Sequence, residues 1–118
     1  MAFHSFEKLE VWQLACRLCV QVYAALKRCG DRTLRDQMSR AAVSIASNIA
    51  EGAERGSDAD FRRFVNIARG SAAELRTQLY IANRTGILET SVCNELTLEL
   101  KRISAMLHGL SGSLKGRR

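Results

Sequence analysis

Four arginines, Arg55, Arg62, Arg69 and Arg76, recur at intervals of seven residues. Heptad spacing on a helix drifts only ~20° per step, so Arg62, Arg69 and Arg76 form a near-straight row ~21 Å long. Arg63 and Arg84 lie near its ends. Such a row can track a phosphate backbone. It also fits a solvated helix face held by salt bridges within or between subunits. Asp58, Asp60 and Glu74 offset the five arginines of this helix and leave it at +2.

A second set of polar side chains lies upstream, in QMSRAAVSIASNIAEG (residues 37–52). Gln37, Arg40, Ser44, Asn48 and Glu51 step by 3 and 4, so a helix carries all five on one face. Met38, Ile45 and Ile49 occupy another face, and Ser44, Ala46 and Ser47 keep the middle small. The polar line can meet Ser71, Glu74 and Gln78 of the next helix. Buried polar groups must be paired, so such a seam would fix register. The alternative is a subunit contact. No nucleophile–base pair accompanies these residues, which argues against catalysis there.

Metal chemistry finds little support. Di-iron bundles need Glu-x-x-His pairs on facing helices, and neither His4 nor His108 stands three residues after a Glu. Cys16-x-x-Cys19 lies mid-helix. Cys29 is about 15 Å further along a continuous helix, and Cys93 alone cannot complete a four-thiolate set. The cysteines read as small buried hydrophobes, and no cofactor is expected. Arg102 and His108 resemble the Arg-spacer-His spacing of HEPN-class ribonucleases, although Ile103 stands where that class favours a polar residue. A surface histidine explains His108 equally well.

These residues sit in a chain of 118 residues, of which 47% are hydrophobic and 25% charged, as expected of one soluble domain. Proline is absent, consistent with long helices and short joints. Only 6% of residues are aromatic, so base stacking cannot be the dominant chemistry. The net charge is +6, and Lys115, Arg117 and Arg118 supply half of it. That bias permits nucleic acid or an acidic partner without demanding either. No apolar run is long enough to span a bilayer, and MAFHSFEKLE lacks the apolar core of a signal peptide. The expectation is a cytoplasmic protein with reduced thiols and no membrane partner.

Periodicity predicts four helices, at about 6–29, 33–54, 58–84 and 90–114, followed by a basic tail, 115–118. Trp12, Ala15, Cys19, Val22 and Leu26 form the stripe of the first, widened by Val11, Leu14 and Leu18. A bundle that hid one stripe per helix would leave Val11, Leu14 and Leu18 to a second subunit. Thr33-x-x-Asp36 and Ser57-x-x-Asp60 read as capping boxes, and Thr90 or Ser91 as the last cap. Gly70 inside the third helix costs ~1 kcal/mol relative to Ala. With Ala68, Ser71, Ala72 and Ala73 around it, close packing by a neighbour is the favoured reason. Gly109, Gly112 and Gly116 weaken the end of the fourth helix. The fold class is all-α, an antiparallel up-down-up-down four-helix bundle in a single domain.

Three blocks together carry a resemblance. They are Phe6-x-x-Leu9-x-Val11-Trp12; Gln37-x-x-Arg40-Ala41-Ala42-Val43-Ser44-Ile45-Ala46-Ser47-Asn48-Ile49-Ala50-Glu51-Gly52; and Phe61-x-x-Phe64-x-x-x-Ala68-x-Gly70-Ser71-x-x-Glu74-Leu75-x-Thr77-Gln78. Over about residues 3–90 the chain resembles the four-helix-bundle proteins encoded in intervening sequences of bacterial 23S ribosomal RNA genes, often labelled S23 ribosomal protein. The resemblance implies a homopentameric ring. It also implies kinship in shape with accessory proteins of diversity-generating retroelements, which bind nucleic acid and contact a reverse transcriptase.

The resulting expectation is a non-enzymatic oligomeric module that binds RNA or DNA through Arg55, Arg62, Arg63, Arg69, Arg76 and Arg84. One alternative is a scaffolding ring with a protein partner, such as a reverse transcriptase. A ribonuclease using Arg102 and His108 is the other.

Overall fold

The structure is a computed structural model that describes residues 5–116. These residues form a short 3-10 turn, Phe6–Lys8, and four helices: α1 Glu10–Leu26, α2 Arg32–Glu54, α3 Asp58–Arg84 and α4 Thr90–Leu114. The described residues contain no strand. The molecule is a rod of 49 × 20 × 20 Å. Successive helices pack together, α1 on α2, α2 on α3 and α3 on α4, and α4 closes against α1. Ser44 meets Ser71 across α2 and α3, and Arg69 meets His108 across α3 and α4. With Gly52 against Phe64, and Arg62 reaching Ser111, these pairs run in opposite senses along each helix pair. The arrangement is the antiparallel up-down-up-down bundle. Among the described residues, no helix is long and apolar enough to cross a membrane.

Leu18, Val22, Leu26, Met38, Ile45, Ile49, Leu75, Leu79, Leu100, Ile103 and Leu107 fill the interior. Each contributes about 1.5–3 kcal/mol of apolar burial. Val11, Leu14 and Leu18 are buried within the protomer itself, so the expectation that they require a second subunit is corrected. A bundle helix touches two neighbours, and α1 buries a correspondingly wide arc against α2 and α4.

The end of α1 and the caps of α2 and α4 depart from expectation. Before α1 the chain makes a 3-10 turn, whose Phe6 ring meets Trp12 edge-on with centroids 5.2 Å apart. α1 stops at Leu26 rather than near Cys29. α2 is capped by Asp31, whose Oδ1 accepts from Leu34 N at 3.0 Å, not by the Thr33 box. Ser57 caps α3 as its sequence predicts, accepting from Asp60 N at 3.1 Å. Glu89 occupies the N-cap of α4 without a side-chain bond, while Thr90 donates to Asn83 Oδ1 at 3.0 Å. Gly86, at φ 75°, turns the chain out of α3 so that Ile87 N reaches Ala82 O. Despite Gly109 and Gly112, α4 remains helical to Leu114.

The close packing expected at Gly70 is absent there and is found at Gly52. Gly70 is exposed, and a Cβ there would meet nothing within 4 Å. Gly52 is the close-packed one, where a Cβ would stand 2.6 Å from Phe64 Cβ and 3.2 Å from the Phe61 carbonyl oxygen. The small side chains Ala68 and Ala72 are buried, and Ser71 faces α2.

Candidate nucleic-acid interface

The outer edges of α3 and α4 border an open cleft marked by three adjoining hollows. The polar stripe of α3 (Arg62, Asn66, Arg69, Ala73, Arg76, Tyr80) advances by 4, 3, 4, 3 and 4, the signature of one helix face. The antiparallel stripe of α4 is Lys101, Ser104, His108 and Ser111, at steps of 3, 4 and 3. Arg62 Nε donates to Ser111 O at 3.1 Å, and Ser111 Oγ donates to Asn66 Oδ1 at 2.8 Å. Arg69 donates from Nη1 to Asn66 Oδ1 at 3.3 Å and from Nη2 to His108 Nδ1 at 2.9 Å. These bonds fix the walls of the cleft against each other.

Three hollows follow one another along this face and share wall residues. The first lies among Asp58, Arg62, Arg63, Asn66 and Lys115. The second lies among Asn66, Arg69, Gly70, Arg76, Ser104 and His108. The third is bordered by Arg76, Tyr80, Asn83, Asn94, Thr97 and Lys101. Six Lys or Arg side chains line the series against one carboxylate, Asp58. Arg63 is partly offset by Asp60, 3.6 Å away. Among the described residues, Arg76 and Lys101 have no hydrogen-bond or ion-pair partner. Cations concentrated in a concave wall raise the local potential for an anion above that of scattered surface charge. Gly70 lies open in the middle hollow, where a side chain would occupy the space.

Four of the six sequence-predicted arginines, Arg62, Arg63, Arg69 and Arg76, line these hollows. Arg55 does not. It pairs with Glu51 at 3.1 Å, and its Cζ lies 4.9 Å from the centroid of Phe64. Arg84 bonds the Tyr80 hydroxyl at 2.8 Å, beyond the end of the cleft lining. Arg117 and Arg118 of the basic tail lie outside the described residues. Lys101, Ser104 and Lys115 join the wall although sequence reasoning did not select them. Their signal was the polar stripe beside the apolar stripe of α4.

The polar seam between α2 and α3 forms only at its centre. Ser44 Oγ and Ser71 Oγ are 2.8 Å apart, and Asn48 Nδ2 donates to Ser44 O and Ser44 Oγ at 2.8 and 2.9 Å. Gln37, Arg40, Glu51 and Glu74 are exposed. Arg40 borders a shallow surface hollow with Tyr23, Asp36 and Val43. Gln78 is buried, and its Oε1 has no hydrogen-bond partner.

Arg102 and His108 turn to different neighbours. Arg102 pairs with Glu10 of α1 at 3.6 Å, while His108 bonds Arg69 of α3. Among the described residues, no group of three or more His, Cys, Asp or Glu side chains is placed to hold a metal ion. His4 lies outside those residues. Burial pushes the thiols of Cys16 and Cys93 above their ordinary value, and burial followed by the neighbouring Cys16 does the same to Cys19. The shift disfavours the thiolate required of a ligand or nucleophile.

Comparison with known proteins agrees with the architecture. A crystal structure of a protein with unknown function from the S23 ribosomal protein family, from Bacteroides thetaiotaomicron VPI-5482, matches with TM-score 0.81 and 22% sequence identity. The match covers 86% of this chain and 97% of that one and establishes a shared fold. No curated protein matches the chain. The family described as 23S rRNA-intervening sequence protein matches residues 7–109, extending through most of α4. The chain therefore belongs to the 23S rRNA-intervening sequence protein family.

Proposed function

We propose that the protein is a non-enzymatic, cytoplasmic binding module that holds RNA or DNA by its phosphates along the α3–α4 cleft. The carrying observation is the run of six cationic side chains against a single carboxylate in three adjoining hollows. Arg76 and Lys101 are available to an incoming phosphate without breaking an internal bond. A polyanion is the ligand whose charge suits this wall. Arg69 and Arg62 are held in place by α4, so less side-chain entropy is lost on binding. Arg102 and His108 point to different neighbours, which gives the ribonuclease reading no support.

Binding of a fluorescent oligoribonucleotide to the native chain and to an Arg62/Arg69/Arg76→Ala variant tests the proposal. The variant is expected to bind at least tenfold more weakly. Equal affinities would remove the cleft from the account.

Association into a ring, the homopentamer implied by family resemblance, would present several clefts at once and strengthen binding by avidity. The support comes from Val20, Tyr23, Val43 and Leu98, large apolar side chains left exposed on the protomer. A protein partner on the same surfaces, such as a reverse transcriptase, is the scaffolding alternative. Light scattering of the purified chain decides between a monomer and a ring.

A further inference from the structure

We infer that the Tyr80 end of the cleft takes an unpaired nucleobase, so that the preferred ligand is a single strand. This inference rests on the polyanion reading above. It adds a base subsite to a wall otherwise suited only to phosphates.

Tyr80 is 62% exposed, next to the fully buried Leu79. Its contacts are with Arg84, one turn further along α3. Arg84 donates to its hydroxyl at 2.8 Å and lies over the ring, with Cζ 5.4 Å from the centroid. With Arg84 over one face of the ring, a base would stack on the other. Beside it opens a hollow of about 550 Å³, within the range of small-ligand sites. Its wall combines Leu79 with the amides of Asn83 and Asn94 and the hydroxyl of Thr97. Asn83 Oδ1 already accepts from Thr90, which leaves its amide N–H groups to donate. Among the described residues, Asn94 and Thr97 make no side-chain hydrogen bond. The wall therefore offers a π-face together with a few donors and acceptors, the complement of a base face and a base edge.

The phosphate that accompanies such a base has a place to go. Arg76 lies one helical turn before Tyr80 and borders both this hollow and the next. Lys101 approaches from α4 on the other side. A duplex buries its base faces in the stack and cannot fill the hollow, whereas a single strand can turn one base inward while its backbone follows the cations. One tyrosine provides one stacking position, so phosphate contacts still dominate the affinity.

The test is fluorescence anisotropy at low salt, with an unstructured single-stranded oligoribonucleotide and a duplex of equal length. The proteins are the native chain, Tyr80→Ala, Tyr80→Phe and Arg69/Arg76→Ala. The single strand is expected to bind more tightly than the duplex. Tyr80→Ala should lose about tenfold toward the single strand alone, and Tyr80→Phe should retain most of the native affinity. The inference is overturned if Tyr80→Ala binds the single strand as the native chain does, or if the duplex binds as tightly. In either case, both probes weakening with Arg69/Arg76→Ala leaves the polyanion reading standing. Failure of both probes to bind the native chain removes that reading and the base subsite together.

Discussion

Arg69 Nη2 lies 2.9 Å from His108 Nδ1 and ties α3 to α4 in the middle of the cleft. A guanidinium has only donors, so Nδ1 must accept and the imidazole carries its proton on Nε2. The contact as it stands requires the Nε2–H tautomer of His108. Long-range proton–nitrogen NMR of the ring above neutral pH should show the Nε2–H form. A predominant Nδ1–H form would contradict the contact.

Two glycines should respond in opposite directions to the same substitution. Gly52→Ala drives a Cβ into Phe64 and the Phe61 backbone, where neither helix can yield cheaply. It should destabilise the protein by about 1–3 kcal/mol in urea unfolding. Gly70→Ala meets nothing and should stabilise α3 by up to about 1 kcal/mol. Loss of stability at Gly70 would show that the middle hollow is narrower than described.

The Ser44–Ser71–Asn48 group gives a coupled pair. Ser44→Ala removes the Ser44 Oγ that pairs with Ser71 Oγ and accepts from Asn48 Nδ2, and leaves Ser71 Oγ half-buried without its partner. A cost of about 1–2 kcal/mol is expected. Ser44→Ala/Ser71→Ala should cost less than the sum of the single substitutions, because the second change removes the orphaned hydroxyl. Strict additivity in a double-mutant cycle would mean that the two serines do not interact.

The three raised thiols predict a pH dependence. Each protonated thiol binds its proton more tightly in the folded state than in the unfolded chain, whose value lies near 9.0. The unfolded state therefore loses protons first as pH rises, and stability falls in that window. The contribution is fully present below about pH 9 and is lost as pH climbs through the higher folded values. Urea midpoints should decline above that point, and Cys16/Cys19/Cys93→Ala should flatten the decline relative to its own neutral-pH stability. An unchanged slope would assign the effect to other groups.

The four helices were legible because each apolar stripe keeps helical period over several turns, and Ser57 and Gly86 mark ends by local chemistry. Asp31 and Thr33 both offer an acceptor at the start of α2, and only the backbone path selects Asp31. Misreading α1 had a tertiary cause. α1 packs on both α2 and α4 and buries Leu14 and Leu18, an arc that no single-helix pattern can apportion between core and interface. The glycines failed similarly, since a helical glycine announces that a side chain is absent but not which neighbour requires it. The arginine row of α3 was visible in its spacing. Its opposite wall was not assembled, because placing Lys101, Ser104 and His108 beside Arg69 and Arg76 requires knowing that α4 returns antiparallel to α3.

Salt dependence of oligoribonucleotide binding tests the cationic cleft most directly. Each neutralised phosphate adds about 0.7–0.9 to the steepness of log affinity against log salt. With about four contacts, affinity should fall roughly 100-fold between about 50 and about 200 mM salt. Arg76→Ala/Lys101→Ala should lower that slope by about 1–2 while the helical circular dichroism stays native. A flat salt dependence, or a native slope in the double variant, would contradict phosphate binding along the α3–α4 cleft.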